Sequence, residues 1–221
     1  MGTTIGLHGE EMKVFKVKPD FRFQSCYPWD PNGPRDPEIL KSDALRMDCT
    51  RKMPTWSPLP IFVDKPELKR GNFFYSWSGH FLIDSKVREV LSPILDNTCE
   101  LLPFLPYEGE TFFLMNVLEC VDCLDKQKTQ WTTAPRTGER ISPGSIKEYY
   151  FNRERFSDST LFKIPEQKTT KFLALTGMND AGSEFKTIVE REGLTGLKFE
   201  EIWSDSGPQR LVKDIYDQAW G

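Results

Sequence analysis

The residues that could do chemistry are few and widely spaced. Cys120-x-x-Cys123 has the spacing of a zinc knuckle or a redox pair. A zinc site takes four ligands, commonly two such pairs or added histidines. The chain has two histidines, His8 and His80, and neither stands near another His or Cys in sequence. A thioredoxin-type motif opens a helix after a strand, usually with Gly-Pro or a similar pair between the cysteines. Here the middle pair is Val121-Asp122. The two thiols read as residues on the end of a strand. The cysteine count is five, odd and without framework spacing, so free thiols in a reducing compartment are expected.

Asp122 and Asp125, with Lys126, form a compact acidic turn. Paired carboxylates can hold a divalent metal or share a proton. At a separation of three residues they suit the capping of a short helix better. A nucleophilic triad would have to use His80, with Asp84 nearby. His80 borders the apolar run that starts at Phe81, where a hydrogen-bonded structural histidine is the commoner case. There is no G-x-S-x-G elbow, no phosphate-binding G-x-x-x-x-G-K-[ST] loop and no G-x-G-x-x-G. The residues give no positive argument for catalysis, a cofactor or a metal. Two aromatic-and-acidic groups suit protein contact instead: Trp29 with Asp30 in a Pro-rich loop, and Glu200, Glu201, Trp203 and Asp205 at a strand exit. The competing readings are that Trp29 folds back on the core and that the glutamates are a solvated strand face.

The elements that would position these residues are clearest from Leu161 to Trp203. Phe172, Leu173 and Leu175 form a short buried-strand run. Gly177-Met178-Asn179-Asp180 is a turn. Phe185, Ile188 and Val189 then recur at helical spacing. Asp180 or Ser183 is the expected helix cap, and Gly193 the expected left-handed stop. Leu197 to Trp203 returns as a strand. The helix can cover only one face of such a sheet, so other segments must cover the rest.

An echo of this unit lies upstream. Phe73 to Asp84 reads as two short strands around Ser78-Gly79. Asp84 or Ser85 caps a helix with Val87, Val90, Leu91 and Leu95 on one face, which Pro93 kinks or ends. Cys99 to Leu105 and Thr111 to Leu118 follow as strands around a Glu108-Gly109 turn. At the N-terminal end, Met12 to Val17 mixes apolar residues with Lys13 and Lys16 and reads as an edge strand. Tyr27 to Pro37 is Pro-rich loop, Pro37 to Met47 a short helix, and Leu211 to Ala219 a last short helix. The expected fold is α/β (or α+β), a mixed β-sheet with two strand–helix–strand halves and Pro-rich loops. Residues 1–58 are expected to pack on a body formed by residues 59–221.

Bulk properties fit a water-soluble globular chain of 221 residues, 38% hydrophobic and 28% charged. A net charge of -4 argues against a nucleic-acid binder. No signal peptide or transmembrane span is visible, so a cytoplasmic location and no membrane partner are expected.

Several segments together resemble a known family. DSKVREVLSPIL with CELLPF, NVLECVDCLDKQKTQW, STLFKIPE and FKTIVEREGLTGLKFEEIW occur in this order. The order and spacing are similar to those of a bacterial immunity-protein family of polymorphic toxin systems, formerly a domain of unknown function and later named after a myxococcal member. The matching positions are Leu101 to Phe104, Val121 to Asp125, Leu161 to Ile164 and Gly193 to Phe199, within roughly residues 60 to 203. The resemblance implies a non-enzymatic antidote that binds a cognate toxin and occludes its active surface. It implies a role in interbacterial competition, with toxins delivered by routes such as type VI secretion, and a basic nuclease is one fitting partner. It transfers no binding residues, so Trp29, Asp30, Asp122, Asp125, Glu200, Glu201 and Asp205 are partner-contact candidates from their chemistry alone. The alternatives are an enzyme that reverses a toxin's modification, using Asp122, Asp125 or His80, and a regulatory module with a small-molecule pocket.

Overall fold

Strand β1 (Lys13–Pro19) lies inside a four-stranded sheet in the computed structural model, which describes residues 11–33, 45–142 and 144–207. Its neighbours are β11 (Phe172–Thr176) and β12 (Leu197–Ser204), both antiparallel to it, and β10 (Leu161–Phe162) flanks β11. The expectation of an edge strand is therefore wrong. The reason is visible in burial: Val14 and Phe15 are both buried although they point to opposite faces, so the strand needs cover on every side. Its lysines are matched by neighbouring groups. Lys18 pairs with Glu200, Lys13 lies 3.4 Å from Glu201, and the Lys16 ammonium sits 4.7 Å from the centre of the Tyr149 ring.

The second sheet has six strands in the order β3 (Phe62–Asp64), β2 (Ser25–Tyr27), β4 (Phe73–Tyr75), β5 (Phe81–Ile83), β7 (Phe113–Val117) and β6 (Cys99–Pro103). β2 and β4 pair in parallel and the other neighbours are antiparallel, so the sheet is mixed. A two-stranded ribbon, β8 (Gln130–Trp131) with β9 (Ile146–Glu148), stands apart. The fold is α+β.

The two strand–helix–strand halves share one topology. From β5 the chain runs through α1 (Ser85–Val90) and α2 (Ser92–Thr98) into β6. From β11 it runs through α3 (Phe185–Arg191) into β12. Both members of each strand pair are antiparallel to one intervening strand, β7 in the first half and β1 in the second. Each pair is therefore parallel with a gap, filled in the first half by the next strand in the chain, β7, and in the second by the distant β1.

Local chemistry explains the helix boundaries. Asp84 caps α1 by accepting a 2.9 Å hydrogen bond from the Val87 amide. Pro93 falls in the first turn of α2, where its missing N–H costs nothing, so the segment breaks into two short helices. Gly193 stops α3 at φ 60°. The start of α3 differs from expectation. Neither Asp180 nor Ser183 caps it; Thr160 reaches from the sheet and accepts the Phe185 amide at 3.0 Å. The expected helices over residues 37–47 and 211–219 fall mainly outside the described residues.

Three clusters make up the interior. The central one joins both sheets and all three helices through residues such as Phe73, Phe81, Met115, Phe172, Leu91 and Phe185. A second fills the far face of the four-stranded sheet and is closed by Val121, Cys123, Leu124, Tyr149 and Phe151 from loops. A third fills the far face of the six-stranded sheet beneath Met47, Trp56 and Ile61. Irregular segments thus supply the cover that the helices cannot.

Candidate functional site

The Cys-x-x-Cys pair does not act as a unit. Cys120 is exposed at the end of the segment that leaves β7, whereas Cys123 is fully buried in the second cluster. Burial pushes the Cys123 thiol up to about 12. Cys120 instead bridges to Lys163 in parallel, with the Lys163 amide donating to Glu119 at 2.9 Å and the Val121 amide donating to Lys163 at 2.8 Å. Lys163 is a feature that sequence reading missed. Its side chain is fully buried and its Nζ donates to the Met47 carbonyl at 2.7 Å, over the Phe172 ring at 5.0 Å. Burial lowers its pKa to about 8. The one available signal was a lysine inside the apolar run Leu161-Phe162-Lys163-Ile164.

His80 is a neighbour of this lysine. It is 1% exposed, and its Nδ1 lies 2.8 Å from the Trp77 carbonyl, which fixes the tautomer with Nδ1 as donor. Burial and then the Lys163 charge hold its pKa down at about 4, so the ring is neutral near pH 7. Asp84, the notional triad partner, is engaged with the Val87 amide and with Asn72 Nδ2 at 2.9 Å. These bonds are structural. Among the described residues, no group of three or more His, Cys, Asp and Glu is arranged to hold a metal ion.

The acidic candidates fall into two neighbouring groups. Asp122 pairs with Lys126 at 2.9 Å, and Lys126 also reaches Glu166 at 3.1 Å. Asp125 accepts the amides of Gln127 and Lys128, each at 3.2 Å, and its carboxyl is held down first by the Lys128 backbone bond. It caps a turn there, not a helix. Glu200 and Glu201 on β12 pair with Lys18 and Lys13. Asp205 accepts from the Met12 amide at 3.1 Å and from Arg153 Nη1 at 2.9 Å. One loop touches both groups: Tyr150 accepts the Asp125 amide at 2.7 Å, and Arg153 holds Asp205. Every one of these five carboxylates already has a cationic neighbour, so this surface offers little uncompensated negative charge.

Trp29 and Asp30 lie elsewhere, just past β2 on the six-stranded sheet. Asp30 is exposed and accepts the Asn32 amide at 2.9 Å, which shapes the Pro-rich loop. Trp29 is half-buried. It packs 5.9 Å from both Tyr27 and Trp77. The row continues through Tyr75, 6.4 Å from Tyr27, to Phe21, 5.5 Å from Tyr75. Phe21 is 67% exposed, the most open large apolar side chain among the described residues. The row Phe21–Tyr75–Tyr27–Trp29–Trp77 is assembled from three separate segments, so only Trp29 could be singled out from sequence. A cavity of about 240 Å³ lies nearby, lined by Cys26, Ile61, Arg70, Phe74, Tyr107 and Phe112 among others.

Comparison with known proteins gives one informative result. The model of the Immunity protein family (Imm11) matches residues 15–204. The chain belongs to this immunity protein family. The match starts at Phe15 and so takes in most of β1 and the Gln24 to Met47 stretch, beyond the span suggested by the sequence motifs. A search of curated proteins gives no match. Among the described residues, no helix is long and apolar enough to cross a membrane.

Proposed function

We propose that this protein is an antidote that binds a cognate toxin domain and occludes its active surface, without making or breaking a bond. Membership of the immunity protein family carries this reading. The aromatic row gives it a physical basis. Stable interfaces rest on a few buried aromatic or arginine anchors ringed by weaker contacts. Phe21, Tyr75, Tyr27 and Trp29 form such a set, with Asp30 at its border. Asp122, Asp125, Glu200, Glu201 and Asp205 make a second, locally neutralised surface that would contribute rim contacts. The antidote acts in the cytoplasm, where a toxin delivered by a competing bacterium does its damage.

The test is co-expression with a candidate cognate toxin domain, followed by titration of the purified pair. An occluding antidote restores growth and abolishes toxin activity at one-to-one stoichiometry. Equal killing with and without the protein overturns the reading for that pair. Protection at a small fraction of the toxin's concentration would mean turnover, and would favour an enzyme that reverses the toxin's modification.

A further inference from the structure

The chain carries a net charge of -4, yet one end of the four-stranded sheet is positive. Lys18 on β1 lies directly across from Lys198 on β12. On its other side, β1 and β11 run in a register that sets Lys16 against Leu173 and Val17 against Phe172. One further step sets Lys18 against Lys171. Residues two apart on a strand share a face, so Lys171, Lys18 and Lys198 form a row across three strands, with Lys16 behind Lys18. Like charges placed opposite each other on neighbouring strands are destabilising. Counter-charge is scarce here. Lys18 pairs with Glu200, and Lys198 lies 3.3 Å from Asp20, which Arg22 already holds through Nε at 3.0 Å. Among the described residues, neither Lys16 nor Lys171 has a carboxylate within ion-pair distance, and the Lys16 ammonium rests on the Tyr149 ring. Burial and then Lys171 lower the Lys16 pKa, and burial and then Lys18 lower that of Lys171, as expected of cations short of counter-charge. The side chains of Lys18 and Lys198 are about half exposed. Past this row β1 leads through Asp20 to Phe21, the open ring that begins the aromatic row.

We propose that the lysine row Lys171–Lys18–Lys198 is the docking surface for an acidic, carboxylate-rich segment of the partner protein, continuous with the aromatic anchor at Phe21. The inference rests on the antidote reading and adds to it the chemistry of the partner's contact face. Aspartate and glutamate side chains laid across the three strands supply the counter-charge that the row lacks. Attraction of this kind acts at a distance, so it orients the encounter before Phe21 and Trp29 are seated. A nucleic acid would carry its charge across the rest of an acidic chain, whereas a short acidic segment meets the row alone.

The test has two arms. In the first, the full chain labelled for NMR is titrated at low salt with a glutamate-only peptide. The amide signals of Lys18, Lys171 and Lys198 should shift first, and the shifts should disappear in K171E. No shifts, or shifts centred elsewhere, overturn the proposal. They also overturn it if a single-stranded RNA oligonucleotide moves the same signals at physiological salt while the peptide does not, because the surface then belongs to nucleic acid. In the second arm, association with a candidate cognate toxin domain is measured at two ionic strengths. K171E should slow association roughly tenfold at low salt and much less at high salt. K86E makes the same change in net charge on the exposed face of α1 and should bind as the parent does. Equal effects of K171E and K86E overturn the proposal. Should K171E fail to fold, K171Q serves in its place; its unfolding midpoint should match or exceed that of the parent, because a like-charge contact is relieved. A parent protein that shows the peptide shifts but does not bind the toxin domain overturns the antidote reading for that pair and leaves the row as a carboxylate-binding surface.

Discussion

Gly196 presses its α-carbon against the backbone of Phe73, so that a β-carbon there would lie 2.0 Å from the Phe73 oxygen. This is where the two sheets are joined. Asn72 and Phe73 both donate their amides to the Thr195 carbonyl, at 3.0 and 2.9 Å, and Asn72 Oδ1 accepts the Thr195 amide at 3.1 Å. Gly196 also has φ 104°, a value that side chains rarely adopt. The substitution G196A should therefore destabilise by at least about 2 kcal/mol through strain and displacement of the seam. Gly193 provides the control. Its φ is 60° and nothing lies within 4 Å of its added β-carbon. G193A should cost only about 1 kcal/mol, the left-handed penalty alone. Denaturant titration of both variants checks the difference, and equal losses would mean that the seam is not tight.

The start of α3 gives a second expectation. Thr160 is 4% exposed and its hydroxyl accepts the Phe185 amide, an otherwise orphaned helix donor. T160V should lose about 1–2 kcal/mol, because a buried donor is left without its acceptor. T160S keeps the hydroxyl and should recover most of that. S183A leaves this bond intact and should be near neutral by the same titration.

These two sites show what the sequence could and could not reveal. Features carried by neighbouring residues were legible: the Asp84 cap three residues before the Val87 amide, the break at Pro93, the stop at Gly193, and the matching strand–helix–strand order of the two halves. Features carried by distant pairs were not. Nothing near Phe185 points to Thr160, and nothing near Met12 says that β1 will be gripped by β11 and β12 from the far end of the chain. The candidate site divides in the same way. Trp29 and the five carboxylates were visible as types, but their neutralising lysines and arginine, and the aromatic row through Phe21 and Tyr75, exist only after folding. Lys163 was hidden for another reason: a lysine in an apolar run suggests an exposed strand face, and burial of an amine is the rarer outcome.

Stability should rise with pH in two separate windows. Buried His80 has its pKa lowered from 6.5 to about 4, so between these values the unfolded chain binds a proton that the folded chain does not. Stability is lost as pH falls from 6.5 towards 4. Lys163 is lowered from 10.5 to about 8. Between pH 8 and 9 the unfolded state again holds the extra proton, so stability rises with pH there as well; above pH 9 the buried thiols of Cys26, Cys99 and Cys123, pushed up to about 12, oppose the Lys163 contribution. K163M should remove the alkaline rise. It should also weaken the acid loss, because the Lys163 charge helps to depress His80. H80Q should remove the His80 part of the acid loss and leave the alkaline rise in place. Urea midpoints measured across the pH range, parent against variant, decide this; an unchanged alkaline limb in K163M would show that Lys163 does not titrate in that window.

The proposed interface predicts an asymmetry between aromatic and acidic substitutions. Phe21 exposes most of its ring yet is held edge-on against Tyr75, and Trp29 is fixed between Tyr27 and Trp77. Ordered aromatic side chains lose little freedom on binding, so their truncation removes nearly all the contact energy they bring. F21A and W29A should each weaken toxin binding by about 2 kcal/mol or more, roughly thirtyfold in Kd. Phe21 projects into solvent, so F21A should leave the unfolding midpoint close to that of the parent. Asp122, Glu200 and Glu201 are paired with lysines at the surface, where such pairs contribute little. D122N, E200Q and E201Q should therefore change affinity by less than about 0.5 kcal/mol each and act mainly on the salt dependence of association. The measurement is binding kinetics against the cognate toxin domain at two ionic strengths, beside growth protection in cells. If the glutamine and asparagine variants abolish protection while F21A and W29A bind as the parent does, the contact surface lies over β12 and the acidic turn, and the aromatic row is not the anchor.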